Sequence, residues 1–168
     1  MTSIPVNASP EQEVELLLFS KIASDLTGKG YAVIPNALPG PLTEELFDWI
    51  QLLHSHDFNE GGVGRNRDQT LNRFVRRDAI RWIEGETPAE QHWLDWVSRL
   101  QTFINQHLFL GLFSYESHFS HYRPGDFYRK HLDAFRGQTN RRLSTVVYLN
   151  PGWMPDDGGE LILFSEKD

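Results

Sequence analysis

Apolar side chains recur at helical spacing in the first third of the chain. The pattern from 11 to 26 predicts a first helix, which Gly28 and Gly30 end. A second amphipathic helix is predicted to begin near Pro41. The apolar face of the first predicted helix is Val14, Leu17, Leu18, Ile22 and Leu26. That of the second is Leu42, Leu46, Trp49, Ile50 and Leu53.

A third helix is predicted in the middle of the chain. Thr87 is a favourable N-cap, Pro88 suits the first helical position, and Glu90 is placed to close a capping box. The short segment 31–36, "YAVIPN", is predicted to be a strand. The apolar face of the third helix consists of Trp93, Val97, Leu100, Ile104 and Leu108.

Short strand-like runs replace the helical pattern after Gly111. They are separated by turn-forming sequences such as "RPGD" and "NPGWMPDDGG". Helices followed by strands favour an α+β fold, with a sheet or sandwich-like barrel supported by the N-terminal helices. Residues 1–10 are predicted to be a flexible N-terminus, and 11–168 a single domain. The strand-like runs are "YESHFSHY", "FYRKHLD", "LSTVVYLN" and "GGELILF".

Composition excludes several classes of site and partner. The 168 residues carry a net charge of −7, which argues against a nucleic-acid partner. The absence of cysteine excludes disulfides, thiolate metal sites and cysteine nucleophiles, so any metal must be held by His, Asp or Glu. The N-terminus does not resemble a signal peptide, and no apolar run approaches the roughly 20 residues of a membrane span. A cytoplasmic protein that does not bind membranes is expected.

The segment "HYRPGDFYRKHLD", residues 121–133, is the strongest candidate for chemistry. On a strand, His131 and Asp133 would project from the same face and could converge on one ion. They would then supply two of the three ligands of a two-His-one-carboxylate iron site. A His-x-Asp pair by itself is also common on solvated strands, so both interpretations remain open. Tyr122 and Tyr128 flank the "RPGD" turn and are expected near the His131 face.

Four motifs follow one another along the chain: "LNRFVRRDAIRWIEGETP", "SHYRPGDFYRKHLD", "RRLSTVVYLNPGW" and "GGELILF". In order and spacing, they are similar to the 2-oxoglutarate- and Fe(II)-dependent prolyl hydroxylases related to the hypoxia-inducible-factor hydroxylases and their bacterial counterparts. The resemblance implies a double-stranded β-helix, a jelly-roll or cupin-like fold with supporting N-terminal helices.

The resemblance also implies roles for individual residues. His131 and Asp133 correspond to two iron ligands, and Tyr148 to the tyrosine that binds the distal carboxylate of 2-oxoglutarate. Tyr122 resembles the tyrosine near the iron end of 2-oxoglutarate, and Tyr128 the one near the barrel mouth. No catalytic residue beyond the metal ligands is implied. The loop "GRNRDQTLNR" matches the segment that covers the peptide substrate in relatives.

The implied activity is hydroxylation of a prolyl residue in a protein or peptide substrate. It would use Fe(II), 2-oxoglutarate and dioxygen, with L-ascorbate as reductant. 2-Oxoglutarate would be converted to succinate while the target C–H bond is hydroxylated. A metal hydrolase is disfavoured because no Glu or His lies at hydrolase-like spacing around His131 to act as a general base.

The sequence departs from the family pattern after Asp133. No histidine follows His131, and no arginine stands in the family's position for the distal carboxylate of 2-oxoglutarate. His118 and His121 are the nearest spare imidazoles. We therefore expect an incomplete domain lacking C-terminal strands, which holds Fe(II) weakly and is nearly inactive alone. The alternative is a natural short form, a catalytically inactive peptide-binding module.

Overall fold

The computed structural model describes residues 8–62, 74–133 and 141–164; most of the predicted flexible N-terminus lies outside these ranges. None of its helices is long and apolar enough to cross a membrane. The α-helices are α1 (Pro10–Lys29), α2 (Gly40–Leu52) and α3 (Pro88–Leu108), with 3₁₀ turns at Ser55–Asp57 and Pro155–Asp157. The strands are β1 (Asn59–Glu60), β2 (Ala79–Trp82) and β3 (His118–His121).

Local capping defines the ends of α1. The Ser9 hydroxyl accepts a hydrogen bond from the backbone N–H of Gln12, and the Gln12 side chain accepts one from the backbone N–H of Ser9. Gly30 adopts a φ of 80°, and its N–H reaches the carbonyl of Leu26 at 3.0 Å. The first predicted helix is confirmed, and its C-terminal end is fixed by one of the two predicted glycines.

Glu90 connects two helices and the loop before α3. The predicted N-cap is confirmed, since the Thr87 hydroxyl accepts from the backbone N–H of Glu90. The predicted capping box is wrong, because the Glu90 carboxylate instead accepts from the backbone N–H groups of Gly85 and Glu86 and from Trp49 Nε1. The Glu90 side chain is fully buried, so these hydrogen bonds compensate the cost of its desolvation. They fix α2 against the N-terminus of α3.

Helices α1 and α2 both pack on α3 and enclose the core. The rings of Phe19 and Trp96 meet edge to face, with centroids 5.5 Å apart. The predicted face of α3 is buried except at Leu108, which is half-buried. Buried core side chains include Phe19, Ala23, Leu42, Leu46, Trp93, Trp96, Val97, Leu100, Phe103, Ile104 and Phe119.

The antiparallel sheet has the strand order β1-β2-β3, and Arg81 in β2 faces Phe119 in β3. The pairing resumes beyond Ala79, where Arg76 forms a bridge with Tyr128. Between the Ala79–His121 pair and the Arg76–Tyr128 bridge, the register shifts by four residues. The turn at 123–126 accounts for this shift, because it bulges out of the paired segment. The segment after β3 therefore continues along the segment that leads into β2, and this pairing positions the residues before His131.

Several predicted strands are absent. Residues 31–36 form no strand, and "FYRKHLD" contributes only the bridge at Tyr128. The runs "LSTVVYLN" and "GGELILF" are also without strand pairing within 141–164, because they find no partner among the described residues. An α+β arrangement of helices and a small antiparallel sheet is confirmed, whereas a closed barrel is not seen in the described ranges. Exposed apolar side chains here include Val146, Val147, Leu161, Ile162, Leu163 and Phe164.

Candidate functional site

His131 and Asp133 lie side by side, although residues 131–133 are not in a strand. The Nε2 atom of His131 lies 3.1 Å from Oδ1 of Asp133. On the other side of the ring, Nδ1 lies 2.7 Å from the backbone carbonyl oxygen of Arg129. A carbonyl only accepts, so Nδ1 carries the proton and donates. In the neutral ring, the lone pair of Nε2 therefore faces the carboxylate.

A cation between them would stabilise a neutral imidazole lone pair and a carboxylate that face each other. That cation is either a proton, which makes the ring an imidazolium, or a metal ion. Two cis ligand atoms that each lie about 2.1 Å from a first-row divalent ion are about 3.0 Å apart. The observed separation of His131 Nε2 and Asp133 Oδ1 is 3.1 Å, so this donor pair fits one such ion.

Neighbouring groups orient both side chains. The Ser144 hydroxyl donates to Oδ2 of Asp133, and Nη1 of Arg141 lies 3.9 Å from Oδ1. The Arg129 carbonyl fixes the tautomer of His131. A backbone carbonyl behind the histidine and a hydroxyl on the second carboxylate oxygen are typical outer partners of metal ligands.

Tyr128 and Arg76 extend this arrangement into the sheet. The Tyr128 ring stacks on the His131 ring, with centroids 3.6 Å apart and an interplanar angle of 11°. The guanidinium carbon of Arg76 lies 4.8 Å from the centroid of the Tyr128 ring. Nη2 of Arg76 donates to Asp78 at 2.8 Å, and Nε donates to the other carboxylate oxygen. The Asp78 carboxylate is fully buried. The stacked side chains of Tyr128 and Arg76 therefore connect His131 to a buried ion pair.

Gly61 allows the backbone to approach this ion pair closely. A Cβ atom at this position would lie 2.6 Å from Nε of Arg76 and 2.7 Å from Oδ1 of Asp78. The backbone N–H of Gly61 also donates to the Asp78 carbonyl at 2.8 Å. The residue after β1 therefore encloses one side of the Arg76–Asp78 pair, and only glycine fits there without displacing it.

The environment keeps two phenols of the site protonated. Burial raises the pKa of Tyr122 to about 12, and the nearby carboxylate of Asp78 adds to this increase. Burial also raises the pKa of Tyr128, although the positive charge of Arg76 opposes the change. Both phenols are protonated at neutral pH, as an ordinary tyrosine is, and can donate hydrogen bonds.

Tyr148 has a different setting from the other two tyrosines. Its hydroxyl donates to the carbonyl oxygen of Gly159 at 2.9 Å, and its ring meets Trp153 edge to face at 5.8 Å. The side chain is about half exposed. Tyr148 makes a small contribution to the raised pKa of Tyr122.

The spare histidines do not complete the metal site. Nε2 of His118 lies 3.5 Å from Nη2 of Arg76, and burial followed by the Arg76 charge lowers the pKa of His118. His121 packs against Phe58, with ring centroids 5.8 Å apart. Within 8–62, 74–133 and 141–164, no group of three or more His, Asp or Glu side chains is arranged to hold a metal ion. The predicted covering loop at 64–73 lies outside these ranges.

Sequence reasoning missed the groups that support the site. Arg76 and Asp78 alternate in the segment entering β2, and this two-residue period is a signal that could have placed them on one face. The contact of Ser144 with Asp133 joins residues eleven positions apart. No local pattern in the sequence indicates it.

Comparisons with known proteins identify the family. A family model described as the 2OG-Fe(II) oxygenase superfamily matches residues 117–168, which include His131 and Asp133. The crystal structure of a Pseudomonas putida prolyl-4-hydroxylase is similar, with 35% sequence identity and a TM-score of 0.73. The alignment covers 84% of this chain and 72% of that chain. The chain is thus a 2-oxoglutarate-dependent dioxygenase. Within that class, it belongs to the prolyl hydroxylase-like family.

Proposed function

We propose that this chain hydroxylates a prolyl residue of a protein substrate, with metal held by His131 and Asp133. The observation that carries this proposal is the His131 ring itself. Its Nδ1–H is anchored on the Arg129 carbonyl, so the Nε2 lone pair is directed at Asp133 Oδ1, 3.1 Å away. When bound, Fe(II) with 2-oxoglutarate supplies the activation of dioxygen.

The protein's own residues hold and orient the reacting groups. His131 Nε2 and Asp133 Oδ1 are the proposed metal ligands, and Ser144 fixes the rotation of the Asp133 carboxylate. The Tyr128 ring covers one face of the imidazole and limits its movement. A preorganised pair of ligands loses little conformational entropy when an ion binds.

Three tyrosines are proposed to bind 2-oxoglutarate. Tyr122 and Tyr128 have raised pKa values, so their O–H groups can donate to a carboxylate at neutral pH without ionising. Tyr148 would have to exchange its hydrogen bond to Gly159 for one to the co-substrate. We infer that Tyr148 reorients when 2-oxoglutarate binds.

The prolyl substrate, the reductant and the barrel are parts of the same proposal. The similar Pseudomonas putida protein is described as a prolyl-4-hydroxylase, which supports a prolyl residue as the target. We propose ascorbate as the reductant.

We also propose that residues 141–164 form strands of a double-stranded β-helix when they have pairing partners. Their exposed apolar side chains alternate only partly with polar ones. This pattern suits strands that are buried on both faces.

The test is a single-turnover experiment with protein in excess over a proline-containing peptide. Fe(II), 2-oxoglutarate and ascorbate are supplied at saturating concentrations, because two protein ligands are expected to hold iron weakly. Peptide mass spectrometry should show one added oxygen on proline, and succinate should form in equal amount. Asp133→Asn should abolish both products, whereas Arg99→Gln on α3 should not. Absence of hydroxyproline under these conditions would contradict the proposal.

A second candidate is a peptide-binding module without iron chemistry. It is favoured by the presence of only two candidate ligands at the site within the described residues. The same experiment separates the two functions, because a module would bind the peptide without forming succinate or hydroxyproline. Multiple-turnover succinate release by residues 1–168 is expected to remain close to the background rate. Fast turnover would show that two ligands suffice.

A further inference from the structure

Charge is unevenly distributed along this acidic chain. Two segments, 65–81 and 123–142, hold twelve of the sixteen Lys and Arg residues but only four of the twenty-three Asp and Glu residues. The rest of the chain therefore holds four basic and nineteen acidic residues. A basic region within a protein of net charge −7 indicates a local requirement for positive charge.

The fold brings parts of both basic segments together next to His131. The backbone N–H of Arg77 donates to the Phe127 carbonyl at 3.0 Å, and that of Arg129 donates to the Val75 carbonyl at 2.9 Å. Arg77 and Arg129 also share one aromatic ring, because their guanidinium carbons lie 4.8 Å and 5.4 Å from the Phe127 centroid. Two cations on one ring form a positively charged surface with an apolar centre.

The basic side chains divide into two groups by their surroundings. Arg76 pairs with the buried carboxylate of Asp78, and Arg81 lies 3.8 Å from the buried carboxylate of Glu90. Arg129 and Lys130, in contrast, are exposed and contact aromatic rings, with Lys130 Nζ 3.9 Å from the Phe164 centroid. These two residues directly precede His131 in the chain.

We propose that a basic face, defined by Arg77, Phe127, Arg129 and Lys130, binds an acidic stretch of the polypeptide substrate next to the target prolyl residue. This inference rests on the proposed function and specifies its substrate class. Arg side chains stacked on an aromatic ring are held in place, so they lose less entropy when they pair with Asp or Glu. Exposed charges also increase the rate of association with an acidic segment.

The size and setting of the basic face favour a peptide over a nucleic acid. Nucleic-acid binding depends on many phosphate contacts along an extended track. Here the basic face is small, and the residues outside the two basic segments are strongly acidic and would repel a long polyanion. A few carboxylates in a short peptide can pair with the exposed cations of the basic face, Arg129 and Lys130.

The test measures binding of fluorescein-labelled peptides to the 168-residue chain by anisotropy, in the presence of Mn(II) and 2-oxoglutarate. Three probes share one central proline: a peptide flanked by Asp and Glu, its Asn and Gln counterpart, and a Lys-flanked peptide. A single-stranded oligonucleotide with the same net charge as the acidic peptide is the fourth probe. The acidic peptide should bind most tightly, and its preference should decrease as ionic strength rises.

Two charge-matched double variants make the test specific. Arg129→Gln with Lys130→Gln should weaken binding of the acidic peptide about tenfold at low ionic strength and leave the Asn/Gln peptide unchanged. The control, Lys29→Gln with Arg99→Gln, removes the same charge from α1 and α3 and should leave the preference intact. Circular dichroism verifies that both variants are folded.

Each outcome has a distinct meaning. Equal binding of the acidic and neutral peptides, or equal effects of the two double variants, would overturn the inference. Tighter binding of the oligonucleotide than of the acidic peptide would also overturn it. The proposed function fails separately, if single-turnover assays yield no hydroxyproline with any peptide. An acidic-peptide preference without hydroxylation would retain the basic face and reject only the oxygenase chemistry.

Discussion

The rings of Tyr128 and His131 lie nearly parallel, with their centroids 3.6 Å apart. Arg76 lies over the same Tyr128 ring and is paired with the buried carboxylate of Asp78. The backbone bridge between Arg76 and Tyr128 keeps these groups adjacent. The orientation of a candidate metal ligand therefore depends on residues that would not touch the metal.

Replacement of Tyr128 by leucine should weaken metal binding. The change removes the ring that stacks on His131, a contact worth about 1 kcal/mol, or about fivefold in affinity. Tyr128→Phe keeps the ring and should retain the affinity for Mn(II). Isothermal titration with Mn(II) measures both variants. If leucine and phenylalanine bind Mn(II) equally well, the stacked ring does not position His131.

Replacement of Asp78 by asparagine should destabilise the fold. The variant leaves the largely buried guanidinium of Arg76 without a countercharge, which costs about 3 kcal/mol in the free energy of unfolding. Glu15→Gln is the matched control, because it removes the carboxylate partner of Arg99 on the helical surface and should cost less than about 1 kcal/mol. Urea denaturation measures both. Equal losses would show that the Arg76–Asp78 pair has no special role in stability.

Replacement of Ser144 by alanine should impair metal binding without unfolding the protein. The Ser144 hydroxyl donates to the carboxylate oxygen of Asp133 that does not face His131. Loss of such an outer partner typically reduces metal affinity about tenfold or more. Ser144→Thr keeps a hydroxyl and should behave like the natural protein in Mn(II) titrations. Unchanged affinity in Ser144→Ala would show that Asp133 is oriented by other contacts.

The stability of the fold should decrease at high pH through Tyr122. Its pKa is raised to about 12 in the folded chain, above the ordinary value of 10.0, because burial and Asp78 disfavour the phenolate. Between pH 10 and about 12, the folded state therefore keeps a proton on Tyr122 that the unfolded state loses. The contribution of Tyr122 to the free energy of unfolding is complete below pH 10 and is lost as the pH rises towards 12.

Tyrosinate absorbance during a pH titration checks this prediction. Tyr122→Phe should remove one transition near pH 12 and flatten the alkaline decline in stability. Tyr31→Phe removes a phenol outside the site and should leave that transition in place. If Tyr122→Phe leaves the alkaline titration unchanged, Tyr122 does not have the environment described.

Local sequence signals predicted the helices better than the strands. Thr87 and Gly30 act through neighbouring backbone groups, so their capping roles can be predicted from a few residues. Glu90 has the same kind of local signal, but its carboxylate is used by Trp49, forty-one positions away. Strands need a partner segment, and "LSTVVYLN" has none among the described residues.

The candidate site was predictable only in part. The spacing of His131 and Asp133 was compatible with a shared ion but also with a solvated strand, and the structure places their donor atoms 3.1 Å apart. The two donor atoms lie close together although residues 131–133 do not form the predicted strand. Arg76 and Ser144 could not be assigned in this way, since their contacts with Tyr128 and Asp133 depend on how distant segments pack.

Mn(II) binding measured by electron paramagnetic resonance tests the central claim most directly. We predict that residues 1–168 bind Mn(II), that 2-oxoglutarate tightens this binding, and that Asp133→Asn and His131→Gln each weaken it at least about tenfold. His121→Gln, which alters an imidazole packed against Phe58, should bind Mn(II) as the natural chain does. Equal Mn(II) affinity in the natural chain and in Asp133→Asn would contradict the claim that His131 and Asp133 hold the metal.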